Sequence, residues 1–191
     1  MEHGVLGDST PVRDLFEFDV RQVGIKETLE IDLETLVRAE VGAAYQQIRV
    51  PCVVEHAGLV FADRVSTGYP GGLTKPMWDS LGDDFIEETH SAGRAALARA
   101  VVGYCDGTAT HIFRGETEGS IADAPRGDRK FYWDTIFMPA TEGNRTYAEL
   151  VADGDLGLRH KVLDLSQSTK AMLAFLEWRR HNRPALWPDS P

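Results

Sequence analysis

Cysteine is scarce in this chain. Cys52 and Cys105 are the only two in 191 residues, and neither sits in a CxxC or Cys/His spacing, which excludes a disulfide-stapled scaffold and a zinc framework. Both read as reduced core thiols. No stretch approaches the ~18 apolar residues of a membrane span, and the opening MEHGVLGDSTP lacks the apolar core of a secretion signal. The expected setting is therefore the cytosol, with no membrane partner. Positive charge is also short: 20 Lys plus Arg against 30 Asp plus Glu leave a net charge of −10, so nucleic acid is not an expected partner. Repeats and low-complexity tracts are absent as well. Apolar residues are not lacking, since 42% hydrophobic and 26% charged is ordinary globular usage and argues against a mainly disordered chain.

On a scale of ~100 to 200 residues per domain, the chain reads as one domain over residues 1–180 and a basic, proline-containing tail over 181–191. Gly4 to Gly7 reads as a strand entering a turn where Pro11 opens a short helix. Leu33, Leu36, Val37, Val41, Ala44, Tyr45 and Ile48 fall at helical spacing behind Asp32 as N-cap, and Pro51 ends that helix. Cys52-Val53-Val54 reads as a strand interrupted at its end by the polar pair Glu55-His56, the kind of place where α/β sheets put their chemistry. Trp78, Leu81, Phe85 and Ile86 give a second helical face, and a last helix runs from about Ser166 to Arg180. Asp106-Gly107 between two β-rich runs predicts a two-residue type I′ hairpin. Helices alternating with β-rich stretches give an α/β domain with a mixed sheet.

Ordered motifs then carry a resemblance. Phe113-Arg114-Gly115-Glu116-Thr117-Glu118-Gly119-Ser120-Ile121, Pro125-Arg126-Gly127 and Phe131-Tyr132-Trp133-Asp134-Thr135-Ile136-Phe137-Met138-Pro139 resemble FxGxxxGxI, PRG and FGWDPxFxP of the inosine triphosphate pyrophosphatase family. Upstream, Val54 to Phe61 resembles VEDTGLxF and Gly68 to Gly71 resembles GLPG; downstream, Thr146 to Leu150 resembles TYAEM. The resemblance implies an elongated mixed β-sheet flanked by helices, two lobes around a nucleotide cleft, and a homodimer. It also implies cleavage of aberrant purine nucleoside triphosphates between the α and β phosphates, with Mg²⁺ held by carboxylates.

The same comparison implies the site residues. Gly7 to Arg13 stands where the family has its phosphate loop, so Thr10 and Arg13 become phosphate contacts, Arg13 in the place of a lysine. Glu30 resembles the metal-binding glutamate. Phe131 and Trp133 are expected to stack on the base, Asp134 to accept from its ring N–H, and Arg159 with His160 to meet a 6-oxo group. His56 replaces the aspartate expected to work on metal and water. Mg²⁺ prefers oxygen, so an imidazole there weakens the metal site, and His56 becomes a base by its own chemistry. Glu55 is a weak substitute metal ligand, because adjacent strand residues point to opposite faces.

These departures favour a catalytically impaired sensor of ITP, dITP or XTP that acts on a partner effector protein, with antiviral defence as one setting. Trp178, Arg179, Arg180, Arg183 and Trp187 are the expected docking anchors for such an effector, unless Trp178 packs in the core. The alternative is an active Mg²⁺-dependent pyrophosphatase, and a scaffold with an empty cleft is a third reading.

Overall fold

The computed structural model describes residues 6–182 apart from Glu27, with the backbone alone for residues 130, 131, 155 and 156. Most of the expected opening strand, and the tail with Arg183 and Trp187, lie outside the described residues. After Pro11 the chain makes a single 3-10 turn, Val12–Asp14. Helix α1, Leu33–Ile48, begins where expected: the Asp32 carboxylate accepts from Glu34 N–H at 2.9 Å, satisfying one of the free donors at the helix start.

Four strands follow: β1 (Cys52–Phe61), β2 (Ala95–Cys105), β3 (Thr110–Ile121) and β4 (Phe137–Pro139). They pair in sequence order. The class is the expected α/β, and among the described strands every pairing is antiparallel. The β2–β3 connection differs from expectation. Cys105 pairs with Thr110, leaving four residues rather than two, and only Gly107 takes a positive φ, of 93°. Asp106 closes the turn twice over: its Oδ1 accepts from Thr108 N–H (2.8 Å) and Ala109 N–H (2.9 Å), and its own N–H donates to the Ala109 carbonyl at 3.3 Å.

Helices α2 (Thr74–Leu81) and α3 (Phe85–Glu88) divide the expected second helical face, because Gly82 turns the chain at φ 56°. Beyond β4 come α4 (Tyr147–Val151), α5 (Asp155–His160), a π-turn over Lys161–Leu165, and α6 (Gln167–His181).

Cross-strand partners share a face, which sorts the sheet into two sides. One side carries Phe61 with Ala96, Leu59 with Ala98, Ala57 with Ala100, Glu55 with Val102, and Val53 with Tyr104. Two cores sit on it. Leu59, Phe61, Ala96 and Ala98 pack with Phe85, Trp133, Phe137 and Tyr147, while Ala100, Val102 and Tyr104 pack with Ala171, Phe175 and Leu176 of α6. Ala57 touches both, so one sheet holds two lobes. The other side packs Val101 against Leu33, Leu36 and Val37 of α1.

The motif glycines of β3 lie within the strand, where a side chain would not fit. At Gly115 a Cβ would meet the Gln167 carbonyl and Ala171 N of α6, and at Gly119 it would meet the Met138 carbonyl and the Phe137 ring.

Candidate functional site

Register decides the first question. His56 pairs with Val101 and Val101 with Arg114, which puts His56 on the α1 side of the sheet. Glu55 points the other way and accepts from Ser168 Oγ of α6 at 2.7 Å. It therefore does not join His56 at a metal, because strand alternation separates them. Glu30 is also occupied: its Oε1 accepts from Asp32 N–H at 3.0 Å at the entrance to α1. Among the described residues no three His, Cys, Asp or Glu side chains converge as a metal site. The expected protein ligands of Mg²⁺ thus do not fit a closed site of their own.

His56 has a partner that sequence reading missed. Glu40 of α1 bonds His56 Nε2 through Oε2. The Glu40 side chain is 6% exposed and that of His56 31%. Glu40 occupies the buried stripe with Leu36, Val37, Val41 and Ala44, and an acidic residue on that stripe was the available signal. The same side of the sheet carries two further pairs: Arg99 Nε with Glu116 Oε1 at 2.7 Å, and Arg114 with Glu34 of α1.

The second lobe holds the expected base-recognition residues, in altered roles. Trp133 is buried in the core, edge-on to Phe137 at 6.1 Å between ring centroids, so its indole is a core side chain rather than an open stacking face. The Phe131 side chain lies outside the described residues. Asp134 is buried and bonds Lys161, a cation of the Asp153 to Leu163 segment that sequence reading assigned no role. Burial pushes the Asp134 carboxyl above its ordinary range and Lys161 opposes that. Lys161 also lies 5.1 Å from the centre of the Tyr147 ring.

His160 cannot offer a free donor to a purine. Its Nδ1 meets Asp164 Oδ2 at 2.8 Å and its Nε2 meets Glu142 Oε1 at 3.0 Å, and these two acceptors, Asp164 first, raise its pKa. Arg159 is exposed and makes no side-chain bond among the described residues.

In the segment expected to receive phosphate, Arg13 is exposed, and among the described residues its ion-pair partner is Asp14 at 3.7 Å. Thr10 gives its N–H to Asp8 Oδ1 at 3.1 Å. Asp8 also meets Arg180 of α6 at 2.7 Å, and these contacts, Thr10 first, hold its pKa down to about 2. That ion pair ties the loop to α6, and it employs an arginine expected to dock a partner. Trp178 is likewise engaged, with Tyr104, His111 and Phe113 around it. A cavity of about 540 Å³ lined by Asp83, Glu87, His90 and Asp123 contains none of the expected nucleotide contacts, and its carboxylates would repel a triphosphate.

Long antiparallel strands with one lobe at each end describe a known architecture. The solved structure of a HAM1 protein from Coxiella burnetii matches with a TM-score of 0.61 at 22% identity, over 83% of this chain and 81% of that one. The chain belongs to the Ham1 family, whose model matches residues 5–176. A dITP/XTP pyrophosphatase of Methanopyrus kandleri is 36% identical over 149 residues, covering 75% of this chain and 74% of that protein. An inosine triphosphate pyrophosphatase of Candida glabrata is 31% identical over 142 residues, 72% of each. A dITP/XTP pyrophosphatase of Methanosarcina mazei is 31% identical over 185 residues, 92% of this chain and 93% of that one. These relatives overturn the leading expectation of an impaired sensor acting on an effector: chains this similar over most of their length are named for hydrolysis.

Proposed function

We propose that this protein is a pyrophosphatase of aberrant purine nucleoside triphosphates, taking dITP, ITP or XTP to the monophosphate and pyrophosphate. The observation that carries this reading is the 36% identity with a dITP/XTP pyrophosphatase across three quarters of both chains. Arg13 and Arg159 are the cations open to a polyphosphate or a purine carbonyl, while Asp134, held by Lys161, sets the wall behind the base. Mg²⁺ supplies charge neutralisation in this class of reaction. Among the described residues no three His, Cys, Asp or Glu side chains converge to hold it. A homodimer belongs to the same reading, supported by the family resemblance, and a cytosolic setting is kept from the sequence; no helix among the described residues is long and apolar enough to cross a membrane.

The test is pyrophosphate release from dITP, ITP, XTP and dATP, with and without Mg²⁺. Release from the first three that exceeds release from dATP supports the proposal; no release from any of the four overturns it.

A further inference from the structure

We propose that Cys52 and Cys105 are an oxidation site, a cross-strand thiol pair that a small-molecule disulfide closes into a reversible bond. The inference goes beyond the pyrophosphatase reading and does not depend on it. The two residues are far apart in sequence and are the only cysteines in the chain. Register brings them together: Cys52, the first residue of β1, stands directly opposite Cys105, the last residue of β2. Opposite residues of an antiparallel ladder share a face and hold their Cα atoms about 4.5 or 5.5 Å apart, depending on the kind of pair. Both spacings lie inside the range of about 4.4 to 6.8 Å that a disulfide spans.

The pair lies on the α1 side of the sheet. Cys52 Sγ is 3.8 Å from the Val41 carbonyl of α1, a weak sulfur hydrogen bond that costs little to give up. The next position on that face of β2 is Gly103, where a Cβ would meet Val37 and Val41, so α1 lies close over this end of the sheet. Cys52 is half-buried and Cys105 buried, so a reagent from solvent meets Cys52 first. Burial, and then the neighbouring Cys105, push the Cys52 thiol up, which keeps it protonated and unreactive under ordinary conditions. Opposite Cβ atoms stand about 4.5 to 5.5 Å apart, whereas a disulfide prefers about 3.8 Å, so closure draws the two strand ends together. Both residues are strand termini, Cys52 after Pro51 and Cys105 before the turn at Asp106, where the backbone can give. A bond made under that load is readily reduced, which makes it a switch rather than a permanent staple. Transient disulfides of this kind suit the cytosolic setting expected from sequence.

The chemistry balances with the small disulfide as oxidant. The Cys52 thiolate attacks one of its sulfurs, the small disulfide's S–S bond breaks, and one thiolate leaves with the electron pair. The Cys105 thiolate then attacks Cys52 Sγ, the mixed S–S bond breaks, and the second thiolate leaves. Two protein thiols are oxidised by two electrons, the small disulfide is reduced to two thiols, and the two protein protons pass to them.

The experiment treats the full, folded chain with oxidised glutathione, blocks the remaining thiols with iodoacetamide in denaturant, and compares wild type, Cys52→Ser and Cys105→Ser by intact mass and thermal melting. Expected is a wild-type monomer lighter by two hydrogens, which takes up no iodoacetamide and whose peptide map joins the Cys52 and Cys105 peptides. Dithiothreitol returns both thiols. The melting midpoint is expected to rise by roughly 5 °C on oxidation, because the closed loop constrains the unfolded chain. Cys105→Ser is expected to stop with one glutathione on Cys52, and Cys52→Ser to resist the reagent. Wild type that carries two glutathiones, that joins a second copy through a disulfide, that leaves both thiols open to iodoacetamide, or whose midpoint does not rise overturns the proposal. These wild-type readouts need no variant to fold, and they leave the pyrophosphatase reading to its own release assay.

Discussion

At the scale of single residues, histidine chemistry separates positions that look alike in sequence. His160 is braced by two carboxylates, so its imidazolium is favoured in the folded protein. A raised folded pKa gives stability that is complete below the ordinary histidine range and is lost as pH climbs through the raised value. Titration of the His160 ring by NMR is expected to show that elevated midpoint, and Glu142→Gln to bring it down. Asp8 works in the opposite sense. With its pKa near 2 it stays charged, and its pair with Arg180 persists, through mild acid. It also places negative charge in the loop expected to receive phosphate, so Asp8→Asn should lower KM for every triphosphate regardless of base.

Elements show where local signals suffice. The start of α1 depends on the Asp32 cap, and Asp32→Ala is expected to cost about 1 kcal/mol in a denaturant titration. The cap was legible because it is local. The β3 glycines were legible only as a motif, and α6 lying across Gly115 supplies the physical reason for one of them. Gly115→Ala should therefore destabilise by about 2 kcal/mol or more, because the neighbours it strikes are backbone atoms that cannot rotate away. A change within 0.5 kcal/mol would mean that α6 can lift off the sheet. The β2–β3 connection shows the limit of dipeptide rules: Asp106 found a side-chain route to the same reversal, with two residues more.

The whole molecule assigns work by face and by lobe. Both cores on one side of the sheet meet at Ala57, while His56, one residue earlier, belongs to the α1 side. On the proposed reading, phosphate binding and base selection are separable by mutation. Arg13 is proposed to meet phosphate alone, so Arg13→Ala should raise KM for dITP, XTP and dATP by a similar factor, whereas Arg159→Ala should narrow the gap between dITP and dATP. Steady-state release assays with the paired substrates check both. A loss confined to one base in Arg13→Ala would remove it from the phosphate contacts.

Sequence alone determined the α/β class, the cap of α1, the approximate extents of α1 and α6, and the family, because helical periodicity, capping chemistry and ordered motifs are written in neighbouring residues. Glu55 facing away from His56 also followed from strand alternation. Only tertiary structure decided the partners. Glu40 and His56 are 16 residues apart, Asp8 and Arg180 lie at opposite ends of the chain, and Lys161 reaches Asp134 from another element. No local pattern encodes such pairs. Side chains meet because the sheet, its register and the helices laid on it bring them within hydrogen-bond reach, and burial then makes each charge select a partner.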